Sequence, residues 1–228
     1  MKRERTSVSY RDLSFRTLRE KRYAHLWLLL GWVGYFVLYA LTENLIPPER
    51  CHVIHCALDD LIPFCEWFLL FYASWYVLIV VSLLYFLRWD VPSFKRLQVF
   101  IMITQAAAML IYILWPSRQD LRPEVFPRQN LFTWAMGIVY AFDTPTGVCP
   151  SLHVAYSLGI ASVWLRQKSV SPVTRGLIAL LCALICISTA FVKQHSVLDI
   201  LAALPLGLLA EGLVYGRWWK ERLGRRRT

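Results

Sequence analysis

Long apolar runs, separated by short polar or proline-bearing breaks, organise this chain. A run of roughly 20 apolar residues crosses a bilayer as a helix. The pattern predicts six such spans, at 24–43, 64–87, 96–115, 150–166, 174–192 and 196–217. Pro47, Pro48 and Pro63 punctuate the first connection, and Trp115-Pro116 ends the third run, because the residue before proline is biased away from helix. Backbone groups in lipid must be satisfied internally, so the runs read as helices rather than open sheet. A shorter apolar stretch, "QNLFTWAMGIVY" (Gln129–Tyr140), is too short to span. Its Phe132, Trp134 and Tyr140 suit either the membrane–water interface or a helix packed on the ends of the bundle. The expected fold class is an all-α integral membrane protein, a six-transmembrane-helix bundle.

Composition strengthens this reading. The chain of 228 residues is 57% hydrophobic with a mean hydropathy of +0.45, more apolar than a soluble domain. No Gly/Ser linker or fixed repeat divides it, which argues for one membrane domain over 24–217 between a basic N-terminal segment, 1–23, and a basic tail, 218–228. The first run has the basic flank of a signal peptide. It is long, however, and no small-x-small cleavage site follows, so it is expected to be retained.

A net charge of +10 raises the question of nucleic acid. The distribution of cations gives another answer. Lys2, Arg3, Arg5, Arg11, Arg16, Arg19, Lys21 and Arg22 precede span one. Arg88, Lys95 and Arg96 lie between spans two and three, and Arg166, Lys168 and Arg175 between four and five. Arg217, Lys220, Arg222 and Arg225 to Arg227 follow span six. Six spans put all of these on one side and leave Arg50, Arg118, Arg122, Arg128 and Lys193 on the other. The positive-inside rule then places both termini in the cytoplasm. The basic tails become topology signals that also suit anionic membrane lipids, and no nucleic-acid partner is needed. The expected location is the plasma (inner) membrane, multi-pass; nothing in the pattern sets an oligomeric state.

This topology gathers unusual chemistry on the extracytoplasmic side. In "KQHSVLD" (Lys193–Asp199), His195 and Asp199 are four residues apart and share a helix face. A carboxylate on one ring nitrogen sets the tautomer and leaves the other lone pair free to attack. The plainer alternative is a His–Asp pair that only holds the turn. In "CPSLHVAYS" (Cys149–Ser157), Pro150 suits a first helical turn. The free N–H groups there, with the Ser151 hydroxyl, make an anion site, and His153 is placed to protonate a leaving oxygen. The plainer alternative is an interfacial histidine behind a helix-starting proline. "SRQDLRPEVFPR" (Ser117–Arg128) brings Arg118, Arg122 and Arg128 to the side where cations are sparse. Guanidinium forks match phosphate oxygens, although pairing of Arg118 and Arg128 with Asp120, Glu124 or lipid headgroups would also account for them. Together these groups suit phosphoryl transfer through a phosphohistidine, in which positioned cations stabilise the charge. That scheme calls for no metal and no cofactor.

Two further readings stand beside it. His52, His55, Asp59 and Asp60 in "CHVIHCALDD" have metal-ligand chemistry, or form a loop capped by acids. Cys51, Cys56, Cys65 and Cys149 map to the extracytoplasmic side, where a disulfide is open to them. Cys182 and Cys186 read as packing residues.

Pro150-Ser151-Leu152-His153, His195-x-x-x-Asp199 and Arg122-Pro123 resemble the motifs of the type-2 phosphatidic acid phosphatase superfamily, in the same order and on the same side. The resemblance covers about residues 60–215. It implies a six-helix core in which His195 is the nucleophile, Asp199 orients it and His153 protonates the leaving alcohol. Arg122 and Ser151 would hold the phosphoryl oxygens. The chain departs from the motifs twice: the first motif's lysine falls at Trp115, and the third motif's Ser-Arg reads Ser188-Thr189. Lys193, Arg118 and Arg128 are candidate replacements. The implied activity is that of a membrane lipid phosphatase acting on a lipid phosphate in the outer leaflet. A phospho-headgroup transferase similar to inositol phosphorylceramide synthase is the first alternative. A non-enzymatic lipid transporter or scramblase is the second.

Overall fold

The computed structural model describes residues 8–216. It is mostly helical. A 3-10 run, Lys21–Leu29, continues directly into α1 (Leu30–Leu45). There follow the short α2 (Ala57–Leu61), α3 (Leu69–Trp89), α4 (Val91–Leu114), α5 (Leu131–Phe142), α6 (Leu152–Leu165), α7 (Pro172–Phe191) and α8 (Val197–Tyr215). Five helical segments are long and apolar enough to cross a membrane: Lys21–Leu45, Glu66–Trp89, Val91–Leu114, Pro172–Phe191 and Val197–Tyr215. The chain is thus an all-α, multi-pass membrane protein. Large apolar side chains face outward along these helices, among them Leu70, Val77, Leu177 and Leu208, as a lipid solvent permits.

The expected fourth span is different. It is α6, only 14 residues long, or about 21 Å, against a hydrocarbon layer of about 30 Å. Its sequence explains how a short helix serves. It is buried on nearly every side, with Ala155, Tyr156 and Ile160 fully enclosed. It packs against α3, α4, α7 and α8, so protein rather than lipid surrounds it. Gly159 is where α6 meets α4; a Cβ there would lie 2.5 Å from Phe100 Cδ1.

Two ends of the bundle differ in chemistry. At one end lie Arg22, Arg88, Arg96, Arg166 and Arg175. Arg166 pairs with Glu211 at 2.5 Å and lies over the Tyr215 ring, and Gln167 donates to Asp90 at 2.8 Å. The N-terminal segment is tied in at this end, since the Tyr10 hydroxyl meets His25 Nε2 at 2.7 Å and donates to the Leu87 carbonyl. The expected boundary at residue 24 therefore falls inside a continuous helical run. The basic tail expected at 218–228 lies outside the described residues.

The opposite end is built from loops. Two-residue strands β1 (His52–Val53) and β2 (Ser117–Arg118) pair in parallel, and Arg118 bridges Thr146. The connections after α1, α4 and α5 are thereby laced together. Asn130 caps α5 through Phe132 and Thr133. One face of α5 buries Thr133 and Met136 against α3 and Val192, while Leu131, Trp134 and Phe142 stay exposed. Both expectations for this stretch thus describe one of its faces.

Candidate active site

The loop end positions two histidines by backbone chemistry. α7 finishes in a Schellman motif: the Lys193 N–H donates to the Ala190 carbonyl and the Gln194 N–H to that of Thr189. This motif needs a left-handed residue, usually glycine. Lys193 takes that role at φ 54°, and its ammonium donates to the Asp59 carbonyl at 2.7 Å. His195 follows immediately, and Ser196 opens α8 by accepting from the Leu198 N–H.

Asp59, on α2, caps α8 from outside. It accepts from the Ser196 hydroxyl at 2.6 Å, from the Val197 N–H at 2.8 Å and from the Cys56 N–H at 2.8 Å. Burial pushes its carboxyl upward, but those donors outweigh burial and hold it below the ordinary value. Burial pulls the Lys193 ammonium below the usual lysine value, with Asp59 and Asp60 pulling back.

α6 and α8 begin side by side because the Ser151 N–H donates to the Asp199 carbonyl at 3.1 Å. The Tyr112 hydroxyl fixes the same corner on the Pro150 carbonyl at 2.6 Å. His153, one residue into α6, thus meets His195 with ring centroids 5.6 Å apart and planes inclined at 63°. His195 Nδ1 lies 3.2 Å from Asp199 Oδ2, which also accepts from the Ser196 N–H at 3.0 Å. Asp199 is fully buried. A carboxylate on Nδ1 turns Nε2 toward the cavity that His195 lines. Trp75 and Tyr72 pack on the His153 ring, at 4.1 and 4.5 Å between centroids, and its buried Nε2 has no hydrogen-bond partner.

Both histidines line a cavity of about 630 Å³ that opens between α1 and α3. It runs from Asp143 and Thr144 at the loop end to Leu29 and Leu84 near the other end of the bundle. Comparisons with family models, curated proteins and solved structures return no match. The site is therefore read on its own geometry.

The remaining expected site residues are not equally close. Arg122 donates to the Tyr140 carbonyl at 3.1 Å, to the Asp143 carbonyl at 2.6 Å and to Gln194 Oε1 at 2.6 Å. It stacks over the Tyr140 ring. Burial lowers its pKa, with Asp143 opposing. Ser151 is buried, and its hydroxyl is occupied by the Val154 N–H as the cap of α6. Arg128 is held bidentate by Glu66 at 2.7 and 2.8 Å, and Arg118 by Asp120 at 3.2 Å. Arg118, Arg122, Arg128, Lys193 and Ser151 do not line the cavity. Trp115, where the motif lysine would fall, stacks on His52.

The four possible metal ligands do not converge. His55 pairs with Asp60 at 2.9 Å, His52 stacks on Trp115 and Asp59 turns inward to α8. Among the described residues no group of three or more His, Cys, Asp or Glu is arranged to hold a metal ion. All six cysteines are free thiols. The Cys149 thiol is pushed up to about 12 by burial and by the neighbouring Asp199 carboxylate.

Two residues were missed at the sequence level. Asp143 enters the cavity from the end of α5, accepting from Tyr72 at 2.9 Å, Gln194 at 3.3 Å and Tyr39 at 3.5 Å. Gln194 joins it to Arg122. The available signal was an acid at the end of an apolar helix, the same logic applied to Asp199.

Proposed function

We propose that this chain is a membrane enzyme that transfers the phosphoryl group of a lipid phosphate through a phosphohistidine on His195. One observation carries the reading: two imidazoles 5.6 Å apart, one oriented by a buried carboxylate, at the head of an apolar cavity long enough for hydrocarbon. His195 Nε2 attacks phosphorus in line, and His153 is the group placed to give a proton to the leaving oxygen. His153 then takes the proton of the incoming alcohol or water as the phosphorus–nitrogen bond breaks. Asp199 stabilises the imidazolium character that His195 acquires. Arg122 acts by holding Asp143 and Gln194 in place. The resemblance of the three motifs to the type-2 phosphatidic acid phosphatase superfamily agrees with these roles. With the basic end in the cytoplasm, the site opens to the outer leaflet.

With water as acceptor, the enzyme is a lipid phosphatase. A specific observation favours a lipid alcohol as acceptor instead. Among the described residues lining the cavity there is no lysine or arginine. A phosphate monoester dianion demands several cations, whereas a phosphodiester carries one charge. The test is incubation of the purified protein with a panel of lipid phosphates and phosphodiesters, with and without ceramide or diacylglycerol. Released phosphate marks hydrolysis, and a new phospholipid marks transfer. An acid-labile, alkali-stable phosphoprotein, lost in His195→Ala, is the expected intermediate; full turnover by His195→Ala sinks the mechanism.

A further inference from the structure

The cavity has a chemistry that a phosphate site alone does not require. Its wall carries Trp32, Tyr35, Tyr39, Trp75 and Tyr76, and Asp143 is the one carboxylate among the described residues that line it. Asp143 lines the same cavity as both histidines, and Gln194, the neighbour of His195 in the chain, donates to its carboxylate. Its other hydrogen-bond donors, Tyr72 and Tyr39, are neutral. Arg122 binds the Asp143 backbone carbonyl rather than its carboxylate, and although the two charges attract, Arg122 does not line the cavity. A carboxylate so placed beside a phosphoryl-transfer site repels an anionic substrate unless something cationic lies between them.

We infer that Asp143 and the surrounding aromatic rings form a subsite for a quaternary-ammonium headgroup, so that the substrate is a phosphocholine lipid. The inference rests on the transfer reading above. A trimethylammonium group binds the faces of Tyr and Trp rings and needs no hydrogen-bond donor. Its positive charge is spread over methyl groups, which suits a wall that is aromatic with a single acid. The zwitterion brings its own cation, which compensates for the lack of Lys and Arg along the cavity. The hydrocarbon chains would follow the slot toward Leu29 and Leu84.

The step balances. His195 Nε2 bonds phosphorus, the bond from phosphorus to the diacylglycerol or ceramide oxygen breaks, and the His153 proton goes to that oxygen. An acceptor hydroxyl then bonds phosphorus, the nitrogen–phosphorus bond breaks, and the hydroxyl proton passes to His153. The phosphocholine group moves intact.

The test compares phosphatidylcholine, sphingomyelin, phosphatidylglycerol and phosphatidic acid in mixed micelles with the full chain. Choline lipids are expected to show a kcat/KM at least about tenfold above phosphatidylglycerol. Asp143→Asn should collapse that preference and Asp143→Glu should retain most of it, which separates loss of charge from loss of fold. Preference for phosphatidylglycerol or phosphatidic acid in the wild type, or an unchanged preference in Asp143→Asn, overturns the inference while leaving phosphotransfer standing. A second arm measures retention of radiolabelled phosphatidylcholine and phosphatidylglycerol on His195→Ala protein. If no lipid is turned over, selective retention of phosphatidylcholine that Asp143→Asn abolishes supports the subsite and sinks the reaction. Equal retention sinks the subsite.

Discussion

At the scale of the residue, the structure separates side chains that line the cavity from side chains engaged by other protein groups. His195 and Asp199 form the oriented pair. Asp199→Asn keeps the shape but offers Nδ1 the wrong hydrogen-bonding partner. It should lower turnover on the order of a thousandfold or more while leaving the thermal midpoint in detergent close to wild type. Retained activity would place the general chemistry elsewhere. The resemblance implies Arg122 and Ser151 as phosphate ligands, with Lys193 as a candidate replacement for a missing cation, but their donors or acceptors are engaged by protein. Trp115 and Thr189 stand where the resembled motifs carry cations, and among the described residues that line the cavity there is no lysine or arginine. The first of these is legible in the sequence as an absence. The company of Asp143 and aromatic rings on the cavity wall is not legible, because Trp32, Tyr35 and Tyr39 lie on α1, Trp75 and Tyr76 on α3 and Asp143 at the end of α5.

At the scale of the element, the site depends on how helix ends are finished. The start of α8 is capped by Asp59 from a different helix. A carboxyl held below its unfolded value contributes stability above that value, near pH 3.9, and loses it as pH falls through the folded value. Asp59→Asn should therefore be less stable than wild type by about 2–3 kcal/mol at neutral pH. The gap should narrow below about pH 4, when read as thermal midpoints at a series of pH values. A gap independent of pH would mean that shape, not charge, matters there. The α4–α6 contact makes a second test. Gly159→Val places methyl groups where Phe100 already lies, and should cost about 1–3 kcal/mol, seen as a lower midpoint in detergent. The long helices were legible from their apolar runs to within a few residues. The 3-10 start at Lys21 and the enclosure of α6 by other helices were not, since hydropathy does not report what a helix packs against.

At the scale of the whole molecule, the division of cations between the ends predicts topology. Arg22, Arg88, Arg96, Arg166 and Arg175 cluster away from the histidines. In intact cells or spheroplasts, a cysteine placed at exposed Glu124 of the loop before α5 should react with a membrane-impermeant maleimide. A cysteine at exposed Lys168 should react only after permeabilisation. The reverse result would turn the site to the cytoplasm. Native Cys149 should stay nearly silent near pH 8 in both conditions, since burial and Asp199 disfavour its thiolate.

The sequence by itself determined that the chain is a membrane-embedded set of helices, and it marked His153, His195 and Asp199 as chemistry-bearing residues. Both properties are local, resting on apolar run length and on the four-residue spacing of one helix face. Only the tertiary structure decided that the two histidines meet, which follows from a backbone bond between Ser151 and Asp199 across 48 positions of chain. It also decided that Arg118 and Arg128 are engaged by acids and that Asp143 enters the cavity. Packing chooses among polar partners by distance in space, and the order of residues along a chain does not carry that distance.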